Sequence, residues 1–314
     1  MSLNFQCLGV GVSLLATVVL ASSCAKSTPP LAPSETSATV ASNTVEPAPI
    51  PVSFGPPGVL VGAGDIGMCG TKGAELTARL LDGIAGTVFT AGDNAYMKGT
   101  AEEFRNCYEP TWGRHRSRTR PVPGNHEYET GGAGYFAYFG DRAGPSGAGY
   151  YSYGVGPWRV IALNSEIPSS PGSAQMEWLR LELATQRSLC TAVYWHRPLF
   201  TSGQNGDNPD MRDVWRTLYD ANVDLVINGH DHTYERFAPQ DPDGRPDSHR
   251  GIREFIVGTG GAMHYQFPQV RANSEARASV WGVAVFTLAS GGYQWEFVPV
   301  EGATFRDSGS GECH

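Results

Sequence analysis

Val223-Asp224-Leu225-Val226-Ile227-Asn228-Gly229-His230-Asp231-His232 decides how this chain is read. A short apolar run interrupted by one acid suits a buried strand, and it ends in a turn carrying two imidazoles and a carboxylate. The same grammar recurs upstream. Val59-Leu60-Val61 leads into Gly62-Ala63-Gly64-Asp65, and Thr87-Val88-Phe89-Thr90 into Ala91-Gly92-Asp93-Asn94. Pro121-Val122 leads into Pro123-Gly124-Asn125-His126, and Ala192-Val193-Tyr194 into Trp195-His196-Arg197-Pro198. In α/β sheets ligands collect at the carboxyl ends of strands, so five such runs can aim their polar residues into one crevice.

Helices fit between these runs, around 71–83, 173–188 and 209–221, with Ser173 as the expected N-cap of the second. Phe255-Ile256-Val257, Val283 to Leu288 and Gln294 to Val298 read as later strands, partly alternating in polarity. No internal repeat is visible. The expectation is one α/β domain spanning residues 58–314.

The whole sequence of 314 residues is 40% hydrophobic and 17% charged, with 39 Gly and 22 Pro. Such a composition excludes a coiled coil, a collagen and a wholly disordered chain. The formal net charge of −8 provides no global field for nucleic acid or an anionic membrane, so no nucleic-acid partner is expected. An anionic substrate then has to be captured by local positive charge, such as a metal.

Residues before 58 read as targeting rather than fold. Cys7 to Ala21 is an apolar stretch of 15 residues, short of the ~20 that span a bilayer and suited to a signal peptide. Leu20-Ala21-Ser22-Ser23-Cys24 is similar to a bacterial lipobox, which makes Cys24 the lipidation candidate and residues 1–24 the leader. Leu20 stands one place early for that motif, and ordinary cleavage nearby is the alternative. Membrane contact is expected only through such a lipid anchor. Residues 25–57 carry eight prolines among Ser, Thr and Ala, the composition of a disordered tether. Four cysteines remain, Cys69, Cys107, Cys190 and Cys313; an even number in an exported chain favours disulfides. Of three connectivities, Cys69–Cys107 with Cys190–Cys313 is the expected one.

Gly62-Ala63-Gly64-Asp65-Ile66-Gly67 matches the letter of a dinucleotide-binding fingerprint. The acid that should follow about 20 residues on is wanting, since Asp93 belongs to a Gly-Asp-Asn cluster with a better use. We set that reading aside.

Taken together, Asp65, Asp93, Tyr96, Asn125, His126, His196, His230 and His232 offer carboxylate, phenol, amide oxygen and imidazole, ligands for hard or borderline metals. Gly64-Asp65-Ile66-Gly67, Gly92-Asp93-Asn94-Ala95-Tyr96, Gly124-Asn125-His126-Glu127, Trp195-His196-Arg197-Pro198 and Gly229-His230-Asp231-His232 resemble the five motifs of the calcineurin-like metallophosphoesterases. Tyr96, three places after Asp93, and Thr233-Tyr234-Glu235-Arg236 after the last His pair, resemble the purple acid phosphatase branch, in its compact form without the extra N-terminal β domain of plant enzymes.

The resemblance implies a four-layer α/β/β/α sandwich of two mixed sheets flanked by helices. It implies two metal ions bridged by Asp93. Fe(III) would take Asp65, Asp93, Tyr96 and His232; Zn(II), Fe(II) or Mn(II) would take Asp93, Asn125, His196 and His230. The implied activity is hydrolysis of a phosphomonoester by a metal-activated hydroxide, with no phospho-enzyme. Asp93 serves that chemistry as the bridge, while Asn125 and His126 are expected to contact the substrate, His126 protonating the leaving oxygen. A phosphodiesterase or nucleotidase with the same metals is the alternative; a non-catalytic binding protein on the scaffold is a remote one.

Several plant members carry a further His pair downstream of the His196 motif. Here Leu199 to Gly206 contains none, and His264 is the candidate substitute, against a surface-loop role. Arg114 to Arg120 is expected to be a solvated basic loop. Tyr135, Phe136, Tyr138 and Phe139 are either a wall over the substrate or packing. Asp231 is a candidate for orienting a neighbouring ligand.

Overall fold

The structure is a computed structural model that describes residues 55–145, 147–185 and 190–314. The leader, Cys24 and nearly all of the tether lie outside the described residues, as does the end of the helix expected to reach 188.

All eight strand readings are met. A six-stranded sheet runs in the order Asp307–Glu312, Gly292–Pro299, Gly282–Ala289, Gly58–Ala63, Thr87–Ala91, Thr119–Val122. A seven-stranded sheet runs Ser274–Ala278, Tyr234–Phe237, Arg253–Val257, Leu225–Asn228, Thr191–Tyr194, Trp158–Ala162, Tyr151–Val155. In the six-stranded sheet the three strands Gly58–Ala63, Thr87–Ala91 and Thr119–Val122 are parallel and the other side is antiparallel, and in the seven-stranded sheet a parallel centre lies between antiparallel outer strands, so both are mixed.

Alternation along the central strands assigns the layers. Val160, Ala162, Ala192, Tyr194, Leu225 and Ile227 join one apolar cluster with Phe89, Phe286 and Phe255, between the sheets. The intervening Ile161, Val193 and Val226 join a second cluster with Met176, Leu179, Trp215 and Leu218 of the helices Ala174–Thr185 and Arg212–Asp220. Period-2 side chains that are apolar on both faces require cover on both, which helices supply. On the outer face of the six-stranded sheet, helix Gly73–Gly83 buries Ala74, Ala78 and Leu81. The architecture is the expected α/β/β/α sandwich.

Three local readings change. Ser173 holds the N-cap position, its carbonyl accepting from Glu177 N–H at 3.0 Å, yet its buried hydroxyl has no hydrogen-bond partner. The basic run is no solvated loop but a 3₁₀ helix, Trp112–Arg118, pinned to helix Gly73–Gly83. Arg114 bonds Glu75 and Asp82, and Arg118 donates to the carbonyls of Leu81, Ile84 and Gly86, satisfying the last turn of that helix. The aromatic group is packing, not a substrate wall: buried Phe139 meets Phe104 and Tyr108, as does Tyr138, and buried Tyr135 meets Phe136 and Phe139.

Both expected disulfides are present, Cys69–Cys107 and Cys190–Cys313. The second lies at the amino end of strand Thr191–Tyr194. There buried Asp224 accepts from Thr191 N at 2.8 Å and from His314 N at 2.9 Å, with the His314 ring 3.2 Å away. None of the helices among the described residues is long and apolar enough to cross a membrane.

Candidate metal centre

The parallel strands aim their carboxyl ends at one rim, and the polar clusters follow from there. Asp65 succeeds Gly58–Ala63, Asp93 succeeds Thr87–Ala91, and Asn125 and His126 open a helical turn after Thr119–Val122. His196 succeeds Thr191–Tyr194, and His230 and His232 succeed Leu225–Asn228. Asp65, Asp93 and His230 sit at φ of +61°, +48° and +72°, left-handed conformations that double the chain back so that the side chains face inward. Close approach explains two glycines. A Cβ on Gly124 would lie 2.3 Å from Asp93 Oδ1, and one on Gly92 2.5 Å from His196 Nδ1.

All seven expected ligands converge, in two overlapping groups. In the first, Tyr96 Oη stands 2.8 Å from Asp65 Oδ1, 3.1 Å from Asp93 Oδ2 and 3.1 Å from His232 Nε2. In the second, His196 Nε2 stands 3.0 Å from Asn125 Oδ1, 3.2 Å from Asp93 Oδ2 and 3.2 Å from His230 Nδ1. Asp93 Oδ2 belongs to both.

The imidazoles are aimed through their far nitrogens. His196 Nδ1 lies 2.8 Å from Ala91 O, His232 Nδ1 2.5 Å from Met263 O, and His126 Nδ1 2.5 Å from Met97 O. A carbonyl only accepts, so each Nδ1 carries a proton and Nε2 is the atom that each ring turns to the site, free to offer a lone pair wherever a cation takes the place of its proton.

These contacts test whether the residues suit a metal pair. A phenol has one proton, and Tyr96 Oη faces two carboxylates and an imidazole lone pair. His196 Nε2 likewise faces the oxygens of Asn125 and Asp93 and a ring nitrogen of His230. Acceptors outnumber protons in both groups, and most of these side chains are buried, where an unmatched polar atom is costly. Cations at the two foci resolve both groups, and the hard oxygen and imidazole donors suit them. The residues fit a dimetal site with Asp93 as the shared ligand.

Electrostatics agree. Burial opposes ionisation of Asp93, yet the His196 charge and hydrogen bond hold its carboxyl below the usual range. Burial likewise opposes a charge on His196, and the Asp93 carboxylate outweighs it, raising the imidazole to about 10. His230 is pushed down to about 2 by burial and then by the His196 charge. Burial and the charges of Asp65 and Asp93 drive the Tyr96 phenol well above its ordinary value.

His126 has its Nε2 3.8 Å from Asp93 Oδ2 and its ring 4.5 Å from Tyr96, at the exposed side of the site. His264 lies exposed in the loop beside Met263 and packs on Trp281 with ring centroids 4.8 Å apart. Asp231 does not orient a ligand ring. Its carboxylate accepts from Thr201 Oγ1 at 2.6 Å and Asn205 N at 2.8 Å, ordering the loop that lacks the extra histidines. That loop returns a contact to the centre, since Asn205 Nδ2 donates to His230 O at 2.6 Å.

Glu127 has a role that motif reading did not assign. Fully buried, it accepts from Asn94 N at 2.8 Å, Ala95 N at 3.1 Å and Gly124 N at 2.7 Å, locking the Asp93–Tyr96 loop to the Asn125 turn. Burial and the neighbouring Asp93 charge push its carboxyl up to about 8, while those N–H donors pull the other way. An acid three residues after Gly124 has the spacing of a capping box, the one signal for it in the sequence.

The profile of the calcineurin-like phosphoesterase family matches residues 60–234, which contain all seven expected ligands. The chain belongs to that family. Among similar sequences, an uncharacterized protein of Mycobacterium tuberculosis is 32% identical over 197 residues, covering 48% of this phosphoesterase and 37% of the relative. Purple acid phosphatase 15 of Arabidopsis thaliana is 27% identical over 228 residues, covering 60% and 42%. The phosphoesterase thus spans less than half the length of these relatives. Purple acid phosphatase from yellow lupin seeds superimposes with a TM-score of 0.66 at 20% identity, over 83% of this phosphoesterase and 55% of the lupin chain. Within the family, the phosphoesterase groups with the purple acid phosphatase-like branch.

Proposed function

We propose that this phosphoesterase is an exported phosphomonoesterase whose centre holds Fe(III) in the Tyr96 group and Zn(II), Fe(II) or Mn(II) in the Asn125 group. The observation that carries the proposal is the Asp93 Oδ2 atom, within 3.1 Å of Tyr96 Oη and 3.2 Å of His196 Nε2, one oxygen common to two donor sets. Such a metal pair supplies Lewis acidity, lowering the pKa of coordinated water and offsetting charge on phosphoryl oxygens.

The chain's own residues do the rest. Ala91 O and Met263 O hold His196 and His232 in one tautomer, so that Nε2 is always the ligating atom. Asn125 offers Oδ1 to the centre and leaves Nδ2 to donate to a phosphoryl oxygen. His126 gives its Nδ1 proton to Met97 O, so protonating a leaving oxygen from Nε2 requires the imidazolium form. Glu127 keeps Asp93, Tyr96 and Asn125 in register as substrate enters.

Export is supported by the leader and by two disulfides, which persist in oxidising compartments. Secretion and anchoring through acylated Cys24 are both compatible with that support, and the mass of the mature N-terminus separates them. The activity test is a panel of phosphomonoesters and bis-esters given to the metal-loaded protein. Phosphate release from monoesters, lost in Asp93→Ala, is the expected outcome. Preferential cleavage of bis-esters would replace the reading with a phosphodiesterase, and turnover of neither with a binding protein. A visible absorption band lost in Tyr96→Phe would identify phenolate on Fe(III); a colourless active protein would overturn the iron assignment.

A further inference from the structure

Among the described residues, four large apolar side chains stand exposed: Met97, Leu181, Met263 and Val270. Two of them belong to the metal centre's rim. Met97, 55% exposed, gives its carbonyl to His126 Nδ1, and Met263, 60% exposed, gives its carbonyl to His232 Nδ1. Between the two imidazoles lies the Tyr96 ring, 4.5 Å from His126 and 5.8 Å from His232. Each methionine thus adjoins an imidazole that touches Tyr96, tilted at 52° for His126 and edge-on at 83° for His232. The outer face of His232 is covered by Tyr265, parallel to it at 3.9 Å, which extends the apolar surface on the Met263 side.

Neither methionine sits on loose chain. Met97 N–H donates to Glu103, whose carboxylate also accepts from Lys98 N and Thr100 N. Met263 is flanked by Ala262, whose N–H donates to Asp65 O at 2.9 Å and whose carbonyl accepts from Trp281 Nε1 at 2.7 Å. Tyr265 N–H donates back to His232 O at 3.2 Å. The backbone is fixed on both sides while the thioethers remain in solvent. An exposed flexible apolar side chain on a rigid mount gains by being covered, and methionine adapts to varied shapes. A protein partner would need roughly 800 Å² on each side, far more than two thioethers and a ring offer. Their extent suits the organic part of a small ester.

We propose that Met97 and Met263, with the Tyr265 ring, form an apolar rim that seats an aryl or alkyl leaving group, so that this site prefers such phosphate esters over those of sugars and polyols. The proposal rests on the phosphomonoesterase reading for its consequence, but not for its test. Covering half-exposed methionines is expected to be worth roughly tenfold in affinity.

The test is calorimetric binding of two hydrolysis-inert probes, phenylphosphonate and methylphosphonate, to the metal-loaded protein and to Met97→Ser, Met263→Ser and the double variant. Phenylphosphonate should bind the unmodified protein about tenfold more tightly than methylphosphonate. Each single variant should lower that ratio and the double variant bring it near one. Leu181→Ser, which removes an equally exposed side chain from helix Ala174–Thr185, should leave it unchanged. A ratio near one in the unmodified protein, or one unaltered in the double variant, overturns the rim. Preferential binding without turnover of any monoester would sink the phosphomonoesterase reading and leave the rim standing; monoester turnover with an unaltered ratio would do the reverse.

Discussion

At the amino ends of the seven-stranded sheet, Asp224 is a buried carboxylate with donors on both oxygens: Thr191 N on one, and His314 N with the His314 ring on the other. At the rim where the parallel strands of both sheets end, Asp93, which follows Thr87–Ala91 of the six-stranded sheet, is as buried, yet its Oδ2 faces a phenol and an imidazole that other acceptors also claim. The same chemical group closes a structure in one place and leaves an electrostatic demand in the other. Stability is invested where donors match acceptors. Chemistry is possible where the protein alone cannot match them, because there a cation has something to gain.

Substitutions that treat the two ends differently are the way to break this contrast. Asp93→Asn, which keeps a residue tolerant of positive φ, should cut turnover by on the order of 10³-fold. It should also reduce bound metal to at most one equivalent, measured by elemental analysis beside the assay. Near-normal metal content would remove Asp93 from the bridging position. At the other end, replacing Cys190 and Cys313 together by Ser releases a link across 123 residues and should cost about 2–5 kcal/mol in denaturant unfolding. Turnover per folded molecule should stay unchanged. Asp224→Ala should cost about 2–3 kcal/mol by orphaning the N–H groups of Thr191 and His314, again with kinetics intact. A kinetic defect in either variant would show the two ends to be coupled.

The smallest effect is a pH dependence. The hydrogen bond to Asp224 raises the His314 imidazole above its ordinary value of 6.5, burial opposing it. Folding therefore favours the charged ring. The stabilisation is complete below 6.5 and disappears as pH rises through the raised folded value. His314→Gln should thus be less stable than the unmodified protein by under about 1 kcal/mol at pH 5. The two should converge in alkaline solution. A gap that widens with pH would reverse the sign of this interaction.

How legible each part was follows from where its partners lie. Leu225–Asn228 and Thr191–Tyr194 announce themselves because both faces are buried and nearly every residue is apolar. Edge strands do not: Ser274–Ala278 and Asp307–Glu312 are extended by pairing with a neighbour, and Ser-Glu-Ala-Arg-Ala carries no such preference of its own. Arg114 and Arg118 read as solvated because what holds them, the carboxylates of Glu75 and Asp82 and the carbonyls of Leu81, Ile84 and Gly86, belongs to a helix and turn well upstream. At the centre, ligand types and spacing were readable as chemistry, and all seven meet. Glu127 was not, because its partners are main-chain N–H groups, which leave no trace in side-chain identity. The carbonyls of Met97 and Met263 went unread for the same reason.

The left-handed backbone at Asp65, Asp93 and His230 also limits what mutation can explore. Conformations of this kind admit glycine, asparagine and aspartate readily and penalise most other side chains. A single substitution that tried glutamate or threonine as a ligand at these positions would disturb the main chain before it altered the metal. Changes among the expected ligands should therefore come cheaply at Tyr96, Asn125, His196 and His232, whose φ is negative, and dearly at the other three. Metal preference would then drift through four of the seven expected ligands while the remaining three stay fixed by conformation.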